Sequence, residues 1–173
     1  MRKVFYKSRI IFNLLTILSI LLFSSQVCAL NPGDNSPAFS LNSNRKTGEK
    51  ISLSQFSGKI VYLDIWASWC GTCAESLSWM QKLQDKFGSD SFQVIAVNVD
   101  EERNAAEKIL RKLESSILVA FDPEGITPAK YEVGGIPSSY LIGRDGKVIA
   151  IHEGIGKKEQ DEIEQQIKKN LDT

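Results

Sequence analysis

The chain has 173 residues, of which 42% are hydrophobic and 24% are charged, and its 21 basic side chains balance its 21 acidic ones. This balance gives no indication of a nucleic-acid partner, which a basic surplus would suggest. There is no internal repeat and no long low-complexity tract, so the composition is that of an ordinary folded protein.

The first 29 residues have the layout of a secretory signal peptide. Four basic residues precede an apolar stretch over residues 10–23, and Val27 and Ala29 supply small side chains before a cleavage site. This stretch is shorter than the roughly 20 residues that span a bilayer, so cleavage after Ala29 is favoured over a retained membrane anchor. Lipidation at Cys28 is a third possibility, although the residues before it make a poor lipoprotein signal.

Residues 30–173 are predicted to form a single exported domain. The signal holds four of the 21 basic residues and no acidic one, so 17 basic residues remain against 21 acidic ones, a formal charge of minus 4. The remaining length is sufficient for one hydrophobic core. Loss of Cys28 leaves Cys70 and Cys73 as a pair in a compartment where disulfides persist.

Turn signals divide this domain into alternating strands and helices. Residues 38–56 predict two short strands around a Lys46-Thr47-Gly48 turn. The almost continuous apolar run Ile60–Trp66 predicts a strand that is buried on both faces. After the cysteines, apolar residues at helical spacing run to Phe87, and Gly88 is placed to cap that helix.

The second half of the domain continues the alternation. The predicted elements are a strand over Phe92–Val99, a helix over Asn104–Leu113, a strand over Ile117–Phe121, a hairpin with arms Ser139–Ile142 and Val148–His152, and a helix over Lys157–Leu171. The acidic run at residues 100–102 is expected to begin the Asn104–Leu113 helix, because acids suit the helix dipole there. This order predicts an α/β fold whose central sheet mixes parallel and antiparallel strands.

The stretch "WASWCGTC" places two cysteines where the first buried strand ends and its helix begins. If Cys70 opens the helix, unpaired backbone amides and the helix dipole favour its thiolate and lower its pKa from about 8.5 to roughly 3.5–7.5. Cys73 then lies one turn along the same face, within reach of a disulfide. A permanent disulfide would close a very small loop and stabilise the fold poorly, so a redox-active pair is favoured.

Two stretches in combination, "IVYLDIWASWCGTC" and "PAKYEVGGIPSSYLIGRDGKV", resemble the thioredoxin superfamily. The segment "SPAFSLNSNRKTGEKISLSQFSGK" and the inserted helix and strand over residues 104–121 are similar to its periplasmic TlpA and ResA-like branch. The resemblance covers residues 31–173. It implies a thioredoxin-like fold with an N-terminal β-hairpin and the inserted helix-strand unit, and a thiol-disulfide oxidoreductase that needs no tightly bound cofactor.

The resemblance assigns roles to further residues. Pro137 matches the family's cis-proline, which presents the backbone of the preceding residue, Ile136, to an incoming peptide. With Trp69, these two residues form the expected substrate-binding set. Asp64 matches the buried acid of thioredoxins; burial should raise its pKa and make it the acceptor of the Cys73 proton, unless it points to a wet edge.

Several positions depart from the family pattern, and they leave the redox potential and the substrate open. Three departures lie close to Cys73 in sequence, where Thr72 replaces a proline, Ala74 a basic residue and Ser76 an acid. Two lie further away, where Ser78 replaces a helix-kinking proline and Ala96 a lysine. We hypothesise that Asp64 stands in for the acid missing at position 76.

Three other functions fit the sequence less well. A peroxiredoxin requires a Thr and a Pro before the reactive cysteine, where Ala67 and Leu63 stand instead. A copper carrier could use the two thiolates, but the one His of the sequence, His152, is predicted in the last strand with no sign that it reaches Cys70, so no metal site is predicted. A disulfide-forming oxidant of the DsbA-like type has a helical insertion that this sequence lacks.

The favoured interpretation is a periplasmic, monomeric reductant of protein disulfides. Its expected partners are disulfide-containing client proteins, among them apocytochromes c, and a membrane-bound thiol reductase that supplies electrons. These partners follow from the family resemblance. No nucleic-acid partner is expected.

Overall fold

The computed structural model describes residues 29–172, except positions 45, 47, 89 and 115. The predicted signal peptide therefore lies outside the described residues, apart from Ala29 at its end. Among the residues that are described, no helix has the length and apolar character needed to cross a membrane.

A single mixed β-sheet forms the centre of the described chain. Its strands are β1 (Ser40–Ser43), β2 (Lys50–Ser52), β3 (Ile60–Trp66), β4 (Phe92–Asn98), β5 (Leu118–Phe121), β6 (Ser138–Ile142) and β7 (Val148–Glu153). They lie in the order β2-β1-β5-β4-β3-β6-β7. The central strands β3, β4 and β5 are parallel, whereas β1 and β6 pair with them antiparallel. The predicted α/β class and mixed sheet are confirmed.

The helices are α1 (Cys73–Phe87), α2 (Arg103–Lys112), α3 (Ile126–Lys130) and α4 (Lys157–Leu171). Helix α1 ends where the sequence predicted, because Gly88 adopts a positive φ of 71° and its amide donates to the Gln84 carbonyl. The short helix α3 was not predicted. Its first amides are held by Asp122, whose carboxylate accepts from the backbone nitrogens of Ile126 and Thr127.

Each face of the sheet packs against its own hydrophobic core. Tyr62 and Trp66 of β3 face α1, α2 and α4, whereas Leu63 and Ile65 face the N-terminal segment and the chain around Tyr131. Because side chains alternate along a strand, both faces of β3 need apolar residues, which explains why every residue of this strand except Asp64 is apolar or aromatic. Each fully buried large apolar side chain contributes roughly 1.5–3 kcal/mol to the free energy of folding.

One sequence expectation at a helix start was wrong, and a second was correct in part. Helix α1 begins at Cys73 with Thr72 at its cap position, so Cys70 lies in the turn before the helix and does not open it. Helix α2 begins at Arg103, directly after the acidic run, so Glu102 lies at its cap position and the first turn itself holds no acid. Asp100 is directed elsewhere, into hydrogen bonds with the loop that precedes the cysteines.

Candidate active site

The two cysteines are joined by a disulfide bond, with their Cα atoms 5.4 Å apart. Cys73, the first residue of α1, is fully buried, whereas Cys70 is only partly buried. The Thr72 hydroxyl lies 3.8 Å from the Cys70 sulfur. A substrate can therefore reach the sulfur of Cys70 more easily than that of Cys73.

The backbone around the disulfide leads directly into α1. The Cys70 amide donates to the Ala67 carbonyl at 3.2 Å, and the Cys73 amide donates to the Cys70 carbonyl at 3.2 Å. These two turns place the Cys70 sulfur against the first residue of a helix of 15 residues. The amino-terminal end of such a helix carries partial positive charge, which favours a negative charge on a sulfur at this position.

The two tryptophans of the cysteine motif have opposite environments. Trp66 ends β3 and is 0% exposed, because it packs in the core between the sheet and the helices. Trp69, next to Cys70, is 69% exposed. An exposed indole beside a sulfur offers an apolar surface, and the role of Trp69 in substrate binding stays a prediction.

The peptide bond between Ile136 and Pro137 is cis, as predicted. Ser138, the next residue, pairs with Ile65 of β3, so the cis bond lies beside the end of β3, where the cysteine loop begins. The Pro137 carbonyl accepts a hydrogen bond from the Gly154 amide at 2.9 Å, which ties this segment to the end of β7. The structure thus brings Ile136 and Pro137 to the same edge of the sheet as the disulfide.

Asp64 is 1% exposed and lies on the helix-facing side of β3, between Tyr62 and Trp66. The alternative of a wet edge is therefore wrong. Neither carboxyl oxygen has a hydrogen-bond partner among the described residues. Burial raises the pKa of Asp64 well above its ordinary value, and burial, followed by the Asp64 charge, raises the pKa of Tyr62.

Two departures from the family pattern are buried, and one of them pairs with this acid. Ala96 of β4 pairs directly with Asp64 and is fully buried, so this strand position brings no amine to the carboxyl. Ser76 is buried on α1, one turn after Cys73, and its hydroxyl has no hydrogen-bond partner in the described part of the chain. A further departure, Ser78, is accommodated within the helix, where its hydroxyl donates to the Ala74 carbonyl.

Asp100 anchors the cysteine loop, a role that the sequence analysis missed. Its carboxylate accepts from the Ser68 amide at 3.0 Å to each oxygen and from the Ser68 hydroxyl at 3.1 Å. The Asn98 side chain donates to the same carboxylate at 2.9 Å. Asp100 lies two residues after β4 and Ser68 two residues after β3, so parallel pairing of these strands brings the two loops together. The sequence did offer a signal for this contact, because the loops that follow neighbouring parallel strands meet at the same edge of a sheet.

His152 lies on β7, which is separated from β3 by one strand, β6. It pairs with Ser139 of β6, which in turn pairs with Asp64 of β3. Across residues 29–172, leaving aside the four undescribed positions, no group of three or more His, Cys, Asp or Glu is arranged to hold a metal ion.

Comparisons with known proteins agree on a family and a fold. The family model for Redoxin matches residues 31–167. The thiol-disulfide oxidoreductase ResA of Bacillus thuringiensis subsp. konkukian is 35% identical over 122 residues, which cover 70% of this chain and 69% of that protein.

Solved structures extend this agreement. A Chlorobium tepidum protein, assigned as a thiol:disulfide interchange protein DsbE, matches with a TM-score of 0.78 and 45% identity over 83% of this chain and 99% of its own. The thioredoxin domain of a thiol-disulfide oxidoreductase from Bacteroides vulgatus matches in fold, with a TM-score of 0.70 and 22% identity over 80% of this chain and 99% of its own. The predicted thioredoxin-like fold is confirmed.

The buried acid predicts how stability depends on pH. Above the ordinary pKa of 3.8, the folded chain keeps a proton on Asp64 that the unfolded chain releases. This group therefore stabilises the fold fully at pH values below the unfolded pKa, and its contribution falls by about 1.4 kcal/mol per pH unit until the folded pKa is passed. Asp64→Asn, which cannot ionise, should gain stability relative to the wild type as pH rises, measured by urea unfolding of the oxidised proteins.

The control for this measurement is Asp90→Asn, which removes a carboxyl from an exposed loop position. Its stability curve should run parallel to that of the wild type. If the Asp64→Asn curve also ran parallel to the wild type across this pH range, a raised pKa for Asp64 would be ruled out.

Removal of the Asp100 carboxylate should loosen the cysteine loop. Asp100→Ala leaves the donors of Ser68 and Asn98 without their acceptor, so we expect the free energy of unfolding to fall by about 3 kcal/mol. Glu101→Ala, a substitution at the exposed neighbouring residue, is the matched control and should change it little. Equal denaturant midpoints for the two variants would show that the anchor contributes no stability.

Proposed function

This chain is a thiol-disulfide oxidoreductase of the Redoxin family, and we propose that it acts in the periplasm as a reductant of disulfides in client proteins. The observation that carries this proposal is the asymmetry of the cysteine pair. The more accessible sulfur of Cys70 is bonded to Cys73, the buried first residue of a long helix. One sulfur is thus available for attack on a client, and the other is available only to its neighbour.

The reaction begins from the reduced pair. The Cys70 thiolate attacks one sulfur of a client disulfide, which forms a mixed disulfide and releases the other client sulfur as a thiolate. The Cys73 thiol then gives up its proton, and its sulfur attacks the Cys70 sulfur. The second client sulfur leaves, and the disulfide between Cys70 and Cys73 remains. The client gains two electrons and the enzyme loses two.

Asp64 is the proposed acceptor of the Cys73 proton. Its position on the helix-facing side of β3 supports this role, because the same core encloses Cys73. A carboxylate with an ordinary pKa is a poor base for a thiol, whereas burial brings the two pKa values closer together. The ResA-like branch has an acid at position 76, where this chain has Ser76. In this proposal Asp64 takes over the role of that missing acid.

Client binding is proposed at the sheet edge that holds the disulfide. The exposed Trp69 indole offers an apolar contact on one side of Cys70. On the other side, the backbone of Ile136, before the cis bond to Pro137, is proposed to pair with an extended client segment. Both contacts are independent of client sequence, which suits an enzyme that acts on several proteins.

The family and the sequence pattern support a proposal for the cellular setting. We infer that residues 1–29 direct export and are removed, which leaves a monomeric domain over residues 30–173. The relatives include a protein named as DsbE and several named as ResA. We propose that apocytochromes c are among the clients and that a membrane-bound thiol reductase returns two electrons to the Cys70–Cys73 disulfide.

The proposed direction is tested by the equilibrium redox potential. The protein is equilibrated in glutathione buffers of defined ratio, and the oxidised fraction is measured by alkylation of free thiols. A reductant should give a potential more negative than about −200 mV, which is closer to the value of about −270 mV for thioredoxin than to that of DsbA. The Cys70→Ser variant, which cannot form the intramolecular disulfide, gives the baseline. A value near the approximately −120 mV of DsbA would contradict the reductant role and leave the enzyme class intact.

A further inference from the structure

A row of polar side chains crosses the sheet from the buried acid to its edge. Asp64 of β3 pairs with Ser139 of β6, and Ser139 pairs with His152 of β7. Directly paired residues point to the same face of a sheet, so all three side chains lie on the face covered by α1 and α4. Neighbouring strands are about 4.8 Å apart, which places His152 roughly 10 Å from Asp64 at the backbone.

Several buried polar atoms of this row lack a hydrogen bond of regular geometry in the described protein, although Tyr62 lies close to Ser139 and His152 close to Gln166. Both carboxyl oxygens of Asp64, the hydroxyls of Tyr62 and Ser139, and Nδ1 of His152 are buried without a hydrogen bond of regular geometry. Asp64 and Ser139 are each 1% exposed. Buried polar atoms are nearly always hydrogen-bonded, and a polar cluster of this kind is where proteins hold internal water.

His152 forms the outer end of the row. It is half-buried, and burial lowers the pKa of its imidazole. The Gln166 side chain and the carboxylates of Glu162 and Glu159, all on α4, oppose this shift. The groups that face His152 are therefore these three α4 residues on its outer side and the Ser139 hydroxyl on its inner side. A neutral imidazole can both accept and donate a proton, as a relay group must.

We propose that Ser139 and His152, bridged by internal water, form a proton path between the carboxyl of Asp64 and solvent at the α4 edge. This inference rests on the proposed role of Asp64 as the acceptor of the Cys73 proton. The path lets Asp64 exchange its proton with solvent while a client or a reductase covers the cysteine edge of the sheet. Ser139 and His152 are positioning residues, because neither touches the reacting sulfurs in this mechanism.

The transfer conserves protons and involves no electrons. Protonated Asp64 gives its proton to the bridging water or the Ser139 hydroxyl, which passes a proton to the free imidazole nitrogen of His152. The resulting imidazolium releases a proton to bulk water beside Glu159 and Glu162. The same steps in reverse return a proton to Asp64 when Cys73 must be reprotonated on reduction of the disulfide.

The test measures proton exchange at Asp64 in the oxidised, full-length domain. Aspartate is labelled with ¹³C at the carboxyl carbon, and the Asp64 signal is identified by its loss in Asp64→Asn. A pH titration gives the pKa of Asp64, and line broadening at the midpoint gives its exchange rate. His152→Gln and Ser139→Ala should each slow this exchange by at least about tenfold, because a relay group is lost.

Three comparisons make the result decisive. Asp161→Asn, which removes an exposed α4 carboxylate paired with Lys157, should leave the exchange rate unchanged. Added imidazole should restore fast exchange in a His152→Ala variant, whereas a purely structural role for His152 would give no such rescue. Signals from unlabelled backbone amides report whether each variant is folded.

The outcomes separate this inference from the proposed function. A raised Asp64 pKa with the same exchange rate in the wild type, His152→Gln and Ser139→Ala would overturn the proton path and leave the acid role standing. An ordinary Asp64 pKa in the wild type would overturn the acid role and the proton path together.

Discussion

The structure depends on how β3 passes into α1. Strand β3 is buried on both faces, so its end is fixed in space, and Cys73 begins the helix seven residues after Trp66. In the intervening turn, Ser68 is anchored to Asp100 by its amide and hydroxyl, and Cys70 is bonded to the first helical residue. A sulfur that is held at the positive end of a helix is chemically different from the thiol of an exposed cysteine.

The same strand carries a carboxyl into the core without a compensating charge. Burial is the cause of the raised pKa of Asp64, and its strand partner Ala96 supplies no charged group. An ionised carboxylate at this position would cost several kcal/mol, so the fold favours the protonated form. A proton held on Asp64, on the side of β3 that faces the core around Cys73, connects the fold's stability with the proposed chemistry, because the same burial that penalises the charge makes Asp64 a stronger base.

The sequence predicted those parts of the fold that depend on local pattern. Strand Ile60–Trp66 and helix Lys157–Leu171 were predicted with their observed ends, and other strands and helices were correct within about one residue. Helix Ile126–Lys130 was missed because five residues that include a proline carry no helical period. The start of α1 was placed too early, because the turn before a helix and its first turn look alike in sequence.

Contacts between segments that are distant in sequence could not be predicted from the local sequence pattern. Asp100 belongs to a run of three acids, and a favourable interaction with the helix dipole at the start of α2 already explained their presence in the sequence. Only the pairing of β3 with β4 shows that Asp100 reaches Ser68. In the same way, His152 was assigned no role, because its alignment with Ser139 and Asp64 depends on the register of three strands. The cis bond at Pro137 was predicted through the family resemblance and is present.

The central claim is that the start of α1 stabilises a thiolate on Cys70. Its most direct test is a titration of the reduced protein and of Cys73→Ser, followed by the ultraviolet absorbance of the thiolate. The account predicts that a single sulfur in Cys73→Ser ionises with a pKa below about 7.5. An ionisation near the value of about 8.5 that is usual for a free cysteine would contradict it.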